Sequence, residues 1–385
     1  MHIHVVKPGD SVWTLSRHFG VPSQAIVEGN QLIHPDRLVV GQTLVIPTTR
    51  ETSESVQKPT VETNGYIDPR ITRGRSAQAI DRVGDWLTYV AIFSYAVNRD
   101  GSLTPVEDEP SLAAASKNRV APLLVLTNLE NGQFSTELAT AILTQEAVQD
   151  RILDEAIRVM QRKGYKGLDF DFEYLGSENR ERYVRFLTKA AQRLRPLGYT
   201  LSAALAPKYS ATQRGVLYEG HDYEAIGRVV DFMFLMTYEW GWSGGPPQAV
   251  SPINLMRRVL NYAVTVVPSQ KIMMGIPLYG YDWTLPYVPK GKFAKAISPQ
   301  RGIELASRYG ERIEYNQTVQ APWFRYTDEQ GRRHEVWFED ARSIQAKFDL
   351  VKDFGLRGFY YWVLGNEFPQ NWLLVQDNFN VRKRL

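Results

Sequence analysis

Eight short strand-like stretches separated by helix-like ones constrain this chain more than any other feature. They fall at residues 65–68, 86–95, 121–127, 167–173, 199–206, 230–238, 271–280 and 357–362. Between them apolar residues recur at helical spacing, most clearly over 146–162, 177–197 and 252–267. Parallel neighbours can be joined only through a crossover, and a helix is the usual crossover, so this alternation predicts a parallel sheet. Eight repeats predict closure into a (β/α)8 TIM barrel, α/β in class. The interval from 282 to about 340 is too long for one crossover. It carries charged and aromatic strand-like pieces, Ala321-Pro322-Trp323-Phe324-Arg325-Tyr326 and Glu335-Val336-Trp337-Phe338, and predicts a small α+β insertion over about 283–340 that walls a cleft.

The fourth stretch, Gly167-Leu168-Asp169-Phe170-Asp171-Phe172-Glu173, places an acid at every second position. In a strand, residues two apart share a face, so Asp169, Asp171 and Glu173 line one side while Phe170 and Phe172 take the other. Carboxylates roughly 7 Å apart along one face cannot all ionise freely, so at least one is expected to keep its proton to unusually high pH, as a general acid must. Two other readings stay open on this pattern alone: an exposed sheet face, and a Ca²⁺ or Mg²⁺ site using carboxylates as hard ligands. In a barrel the active site lies at the carboxyl ends of the strands. There stand Glu173, the run Tyr238-Glu239-Trp240, the run Tyr279-Gly280-Tyr281-Asp282-Trp283, and Trp362. Each aromatic alone reads as core, whereas together around one rim they suit a carbohydrate cleft.

Other classes are disfavoured. A net charge of +3 is too small and dispersed for nucleic acid, although a pI near 8.8 leans towards an anionic polymer such as peptidoglycan. No apolar run approaches the length of a membrane span, and Met1 to Val6 lacks the basic and apolar regions of a signal peptide. With no cysteine, disulfides, thiolate metal sites and a cysteine nucleophile are excluded.

Residues 1–47 form a separate unit, followed by a polar linker over 48–63 and a second unit over 64–385. The first unit predicts a strand at 4–6, helices at 11–19 and 22–30, and a strand at 43–47. Asp10 or Ser11 can cap the first helix and Gly20 can end it. In order, Val5-Val6-Lys7-Pro8-Gly9-Asp10-Ser11-Val12-Trp13-Thr14-Leu15, Phe19-Gly20-Val21, Asn30, Leu38 and Gly41-Gln42-Thr43-Leu44-Val45-Ile46-Pro47 resemble a LysM module. That resemblance implies a βααβ fold that binds N-acetylglucosamine polymers. It places Gly9, Asp10, Ser11, Val12, Asn30, Gln31, Leu32 and Ile33 at the groove, and Trp13 is expected in the module's core. The linker predicts a module that concentrates substrate without a fixed orientation.

In the second unit, Asp169-Phe170-Asp171-Phe172-Glu173, Met236-Thr237-Tyr238-Glu239, Gly275-Ile276-Pro277-Leu278-Tyr279-Gly280 and Gly358-Phe359-Tyr360-Tyr361-Trp362 together resemble a family 18 glycoside hydrolase. The family is a substrate-assisted exception to the usual pair of glycosidase carboxylates. By that resemblance Glu173 protonates the leaving oxygen and later activates water, and Asp171 orients the sugar's 2-acetamido group while its oxygen attacks the anomeric carbon. Asp169 supports Asp171 and shares a proton with it. Tyr238 donates to the acetamido oxygen, Trp362 floors the subsite, and Met236, Glu239, Trp240 and Tyr279 complete the substrate site. No metal or other cofactor is implied. Lys166, Phe172 and Glu239 depart from the family's commonest residues, an Asp, a Trp and an Asp. Lys166 puts the proton relay behind Asp169 in question, and Glu239 the choice of substrate.

A LysM module on such a barrel, with Glu239-Trp240-Gly241-Trp242-Ser243-Gly244-Gly245-Pro246-Pro247 after the sixth strand, resembles the spore cortex-lytic N-acetylglucosaminidases. That implies cleavage after N-acetylglucosamine in peptidoglycan by a monomer made in the cytoplasm and placed in the spore coat or cortex. A chitinase would share the catalytic residues, and a non-catalytic glycan-binding protein would usually have lost the acid.

Overall fold

Eight parallel strands close into a ring: Thr60–Ile67, Tyr89–Val97, Ala121–Thr127, Gly167–Asp171, Thr200–Leu205, Phe232–Leu235, Ile272–Pro277 and Gly358–Trp362, with the eighth paired to the first. This computed structural model describes residues 1–32, 34–48, 57–366 and 368–385. Strand parity sorts the core into two layers. Leu123 and Val125 point into the barrel with Tyr66, Tyr89, Phe232 and Tyr360, while Leu124 and Leu126 lie under the surrounding helices. The fourth strand follows the same rule: Phe170 and Phe172 face outward, Phe170 edge-on to Phe186 at 5.2 Å and Phe172 stacked on Tyr183 at 5.9 Å. Their burial contributes about 1.5–3 kcal/mol each and turns the alternating acids inward.

The helices form where apolar spacing predicts them, at Glu146–Lys163, Arg180–Leu194 and Ile253–Val266, the second flanked by single 3-10 turns at Ser177–Asn179 and Arg195–Leu197. Gly164, at φ 79°, ends the first of these in the left-handed conformation that glycine adopts without strain. The insertion is an antiparallel five-stranded sheet with one helix, Pro299–Tyr309. Its first strand is Gly280–Thr284, so the chain leaves the barrel at Pro277 and Gly280 belongs to the insertion.

The first strand begins at Thr60, well before the expected 65 and inside the stretch read as linker. Its polar residues misled because their partners are remote. Glu62 is 3 % exposed, accepts from Arg357 Nε (2.7 Å), Arg384 Nε (2.9 Å) and the Tyr89 hydroxyl (2.9 Å), and has Arg382 at 3.6 Å. Burial alone would raise its carboxyl; these donors outweigh it and hold it below the ordinary range. Residues 49–56 of the expected linker lie outside the described residues.

The N-terminal module has the expected βααβ order: His2–Val5 antiparallel to Thr43–Ile46, with helices Val12–Phe19 and Ser23–Gly29 between them. Ser11 caps the first helix through a capping box with Thr14, and Gly20 ends it at φ 65°. Trp13 is 66 % exposed, contrary to the core expected for it. The helix buries Val12 and Leu15, which puts the intervening Trp13 on the outer face, where the Arg17 guanidinium lies 5.8 Å from its ring.

The module's orientation is also fixed, which corrects the freely tethered picture. Gln370, at the start of helix Pro369–Asn378, donates to Asn30 Oδ1 (2.9 Å) and the Thr43 carbonyl (2.7 Å). Arg342, on helix Ala341–Asp353, donates to the Gly41 carbonyl (3.1 Å), and Ile313 N–H to the Val40 carbonyl (2.9 Å). Val39 packs in the insertion's core with Ile313, Leu305 and Phe324.

Candidate active site

A cleft of about 940 Å³ opens at the carboxyl ends of the strands. Every residue expected at the catalytic and substrate site lines it except Asp169, which lies beneath.

From the barrel interior upward the three acids meet three environments. Asp169 is fully buried; Tyr66 donates to its Oδ2 (2.6 Å) and Ser202 to its Oδ1 (2.7 Å). Burial pushes its carboxyl up to about 6, against the pull of those two donors. Both oxygens are thus engaged by hydroxyls, and among the described residues no hydrogen bond joins Asp169 to Asp171. Asp169 also acts on Asp171 through its charge. Asp171, 5 % exposed, keeps a buried Oδ1 with no hydrogen-bond partner among the described residues. Its carboxyl is raised well above the ordinary range by burial, then by Glu173 and Asp169.

Glu173 lies just beyond the last ladder residue of its strand and reaches the cleft. Dense surroundings push its carboxyl up to about 8, with the charge of Glu239 adding to the effect. A carboxyl pushed up that far suits a proton donor near neutral pH.

The Tyr360 hydroxyl donates to that of Tyr238 (3.1 Å), which leaves the Tyr238 proton free to point elsewhere. Burial raises Tyr238 well above the ordinary phenol value, so the proton stays on. Trp362 sets its ring edge-on to Phe93 at 4.9 Å and tilted on Tyr66 at 5.7 Å, with its remaining surface in the cleft. Glu239 Oε1 accepts from Tyr279 (2.5 Å) and Tyr281 (3.0 Å), so the extra methylene over aspartate is spent in reaching two wall tyrosines. Burial raises its carboxyl against those donors. Lys166 is exposed at the opposite end of the strand, its backbone N–H on the Pro122 carbonyl, and the substitution there lies away from the reacting groups.

Tyr66, Ser202 and Tyr360 were not among the expected site residues, whereas Tyr281 stands in the aromatic run expected at the rim. Strand parity could have found Tyr360, two residues before Trp362 on the same face. Nothing local distinguishes Tyr66 or Ser202 from ordinary core residues.

In the N-terminal module, Gly9 and Gln31 are exposed, Leu32 is half-buried, and Asp10 and Ser11 are engaged locally: Asp10 accepts from Lys7 N–H (2.8 Å) and pairs with His4 (2.7 Å), and Ser11 caps its helix. Val12 and Asn30 are buried, and the Asn30 amide is consumed by Val45, Ile26 and Gln370, so these two side chains support the loops from inside. Ile33 lies outside the described residues.

A glutamate at the end of the fourth strand, its carboxyl pushed up to about 8 and facing an aromatic-walled cleft, places the protein among the barrel glycosidases. Comparison narrows this further: the profile of glycosyl hydrolases family 18 matches residues 65–367 and that of the LysM domain residues 4–47, and the chain belongs to family 18. It is 44 % identical over 430 aligned residues to the cortical fragment-lytic enzyme of Bacillus subtilis (strain 168), covering 100 % of this chain and 99 % of that one. The crystal structure of the spore cortex-lytic enzyme SleL of Bacillus megaterium QM B1551 superposes with a TM-score of 0.95 at 43 % identity, covering 100 % of this chain and 99 % of the other. A chitinase from Chromobacterium violaceum aligns over 83 % of this chain and 98 % of its own, with a TM-score of 0.75 and 25 % identity.

Proposed function

We propose that this glycoside hydrolase cleaves the bond following N-acetylglucosamine in spore cortex peptidoglycan or its fragments, with retention and with the substrate's acetamido group as nucleophile. The observation that carries the mechanism is the pairing of Glu173, whose carboxyl is pushed up to about 8, with a buried Asp171 oxygen that has no hydrogen-bond partner among the described residues. Glu173 gives its proton to the glycosidic oxygen as the acetamido oxygen attacks the anomeric carbon and the exocyclic bond breaks. Asp171 accepts the acetamido N–H on its buried Oδ1, and Tyr238 donates to the acetamido oxygen. Glu173 then removes a proton from the water that reopens the ring. Asp169, held by Tyr66 and Ser202, fixes the field beneath Asp171.

The choice of cortex is supported by two relatives named for that activity that match this chain from end to end, and by the LysM module. On this reading the enzyme works as a monomer at the spore cortex. Digestion of purified cortex fragments beside chitin oligomers, with products identified by mass, tests it: sugars ending in N-acetylglucosamine released faster from cortex are expected, and preferential cleavage of chitin oligomers makes the protein a chitinase.

A further inference from the structure

Regular pairing of the fourth strand stops short of its most important residue. The ladder to the third strand ends at Thr127 opposite Asp171, and the ladder to the fifth at Ala203 opposite Phe170. Phe172 and Glu173 lie beyond both, where a barrel splays and backbone groups lose their partners. Two fully buried side chains stand in for the missing ladder. Asn128, next after the third strand, accepts the Glu173 N–H on Oδ1 (2.9 Å) and donates from Nδ2 to the Glu173 carbonyl (2.9 Å) and to that of Ser135 (3.0 Å). On the other flank the Ala206 N–H can only donate, so His221 Nδ1 is its acceptor (2.9 Å), and the protonated Nε2 donates to the Phe172 carbonyl (2.9 Å). The His221 carbonyl in turn receives the buried Lys208 ammonium (2.8 Å).

We propose that Asn128 and His221 are positioning residues for the proton donor, Asn128 from just after the third strand and His221 from the segment ahead of helix Tyr223–Val229, gripping the backbone of Phe172 and Glu173 and so setting where the Glu173 carboxyl meets the glycosidic oxygen. The inference rests on Glu173 being that donor. Burial lowers His221 to about 4, which keeps it in the neutral form the two bonds require.

The test is the kinetics of full-length Asn128→Ala, His221→Ala, His221→Gln and Glu173→Gln on soluble cortex fragments, with affinity for a thiazoline analogue of the cyclised sugar measured in parallel. That probe reports on Asp171 rather than on Glu173. A displacement of about 1 Å lowers kcat about 10²-fold in each alanine variant, with thiazoline affinity unchanged. The alkaline limb of kcat should also move to lower pH, as a loosened Glu173 carboxyl gains water and draws away from Glu239, Asp171, Tyr174 and Tyr238, which face it. His221→Gln, whose amide can replace both ring contacts, should recover most of the loss. Alanine variants that fold and keep kcat within about threefold overturn the proposal, as do parallel losses of kcat and thiazoline affinity with an unmoved limb. If the alanine variants do not fold, Asn128→Ser carries the test, with about tenfold loss supporting the proposal and none overturning it. An active Glu173→Gln refutes instead the role of Glu173 on which the inference stands.

Discussion

Glu173 and Glu239 show how much chemistry one environment can impose on a carboxyl group. Replacing the acid by Glu173→Gln should lower kcat on cortex fragments by about 10²–10⁴-fold, the range of general acid catalysis. Because burial and Glu239 raise the Glu173 carboxyl to about 8, activity should fall as pH rises through that value and the proton is lost. Glu239→Gln removes a negative charge that favours the protonated form, so the alkaline limb of kcat/KM should move to lower pH. A limb that stays in place would show that burial alone sets it. The alternation of Asp169, Asp171 and Glu173 made the acid legible in the sequence, since strand periodicity needs no tertiary information. The engagement of both Asp169 oxygens by Tyr66 and Ser202 was not legible, because those residues lie 103 and 33 positions away.

At the scale of the element, periodicity located the strands well and their ends poorly. Local apolar pattern marks the middle of a strand, whereas its ends depend on what the neighbours offer. The first barrel strand is the clearest case: Thr60 to Glu62 looks like linker until the arginines at 357, 382 and 384 arrive. Glu62→Ala should destabilise the barrel by about 2–3 kcal/mol, the loss of hydrogen bonds to a charged group, measured by denaturant unfolding. The pH dependence has a definite sign. Since the folded Glu62 carboxyl lies below its unfolded value, its stabilisation is complete above the ordinary glutamate pKa of about 4.3 and is lost as pH falls through the lower folded value. The variant should lack that part of the acid destabilisation.

For the whole molecule, the decisive contact joins the two modules. Gly41 sits at φ 88°, and a Cβ there would lie 1.9 Å from the Ile313 carbonyl oxygen, so the approach is open to glycine alone. Gln370→Ala would leave the Thr43 carbonyl without its donor, weakening the docking by about 1–3 kcal/mol, and Gly41→Ala should displace the module outright. In both variants calorimetry should separate the module's unfolding from the barrel's, while turnover of small soluble fragments stays unchanged because no cleft residue takes part. A single unsplit transition would count against the docked arrangement. By itself the sequence determined which elements form, which faces they bury and that an acidic row ends the fourth strand, since these follow from periodicities of two and 3.6 residues. Only the tertiary structure decided which hydroxyls hold Asp169, what grips the backbone of Glu173 and how the LysM module is oriented. Those outcomes depend on polar partners far apart in the chain, for which a short-range pattern carries no signal.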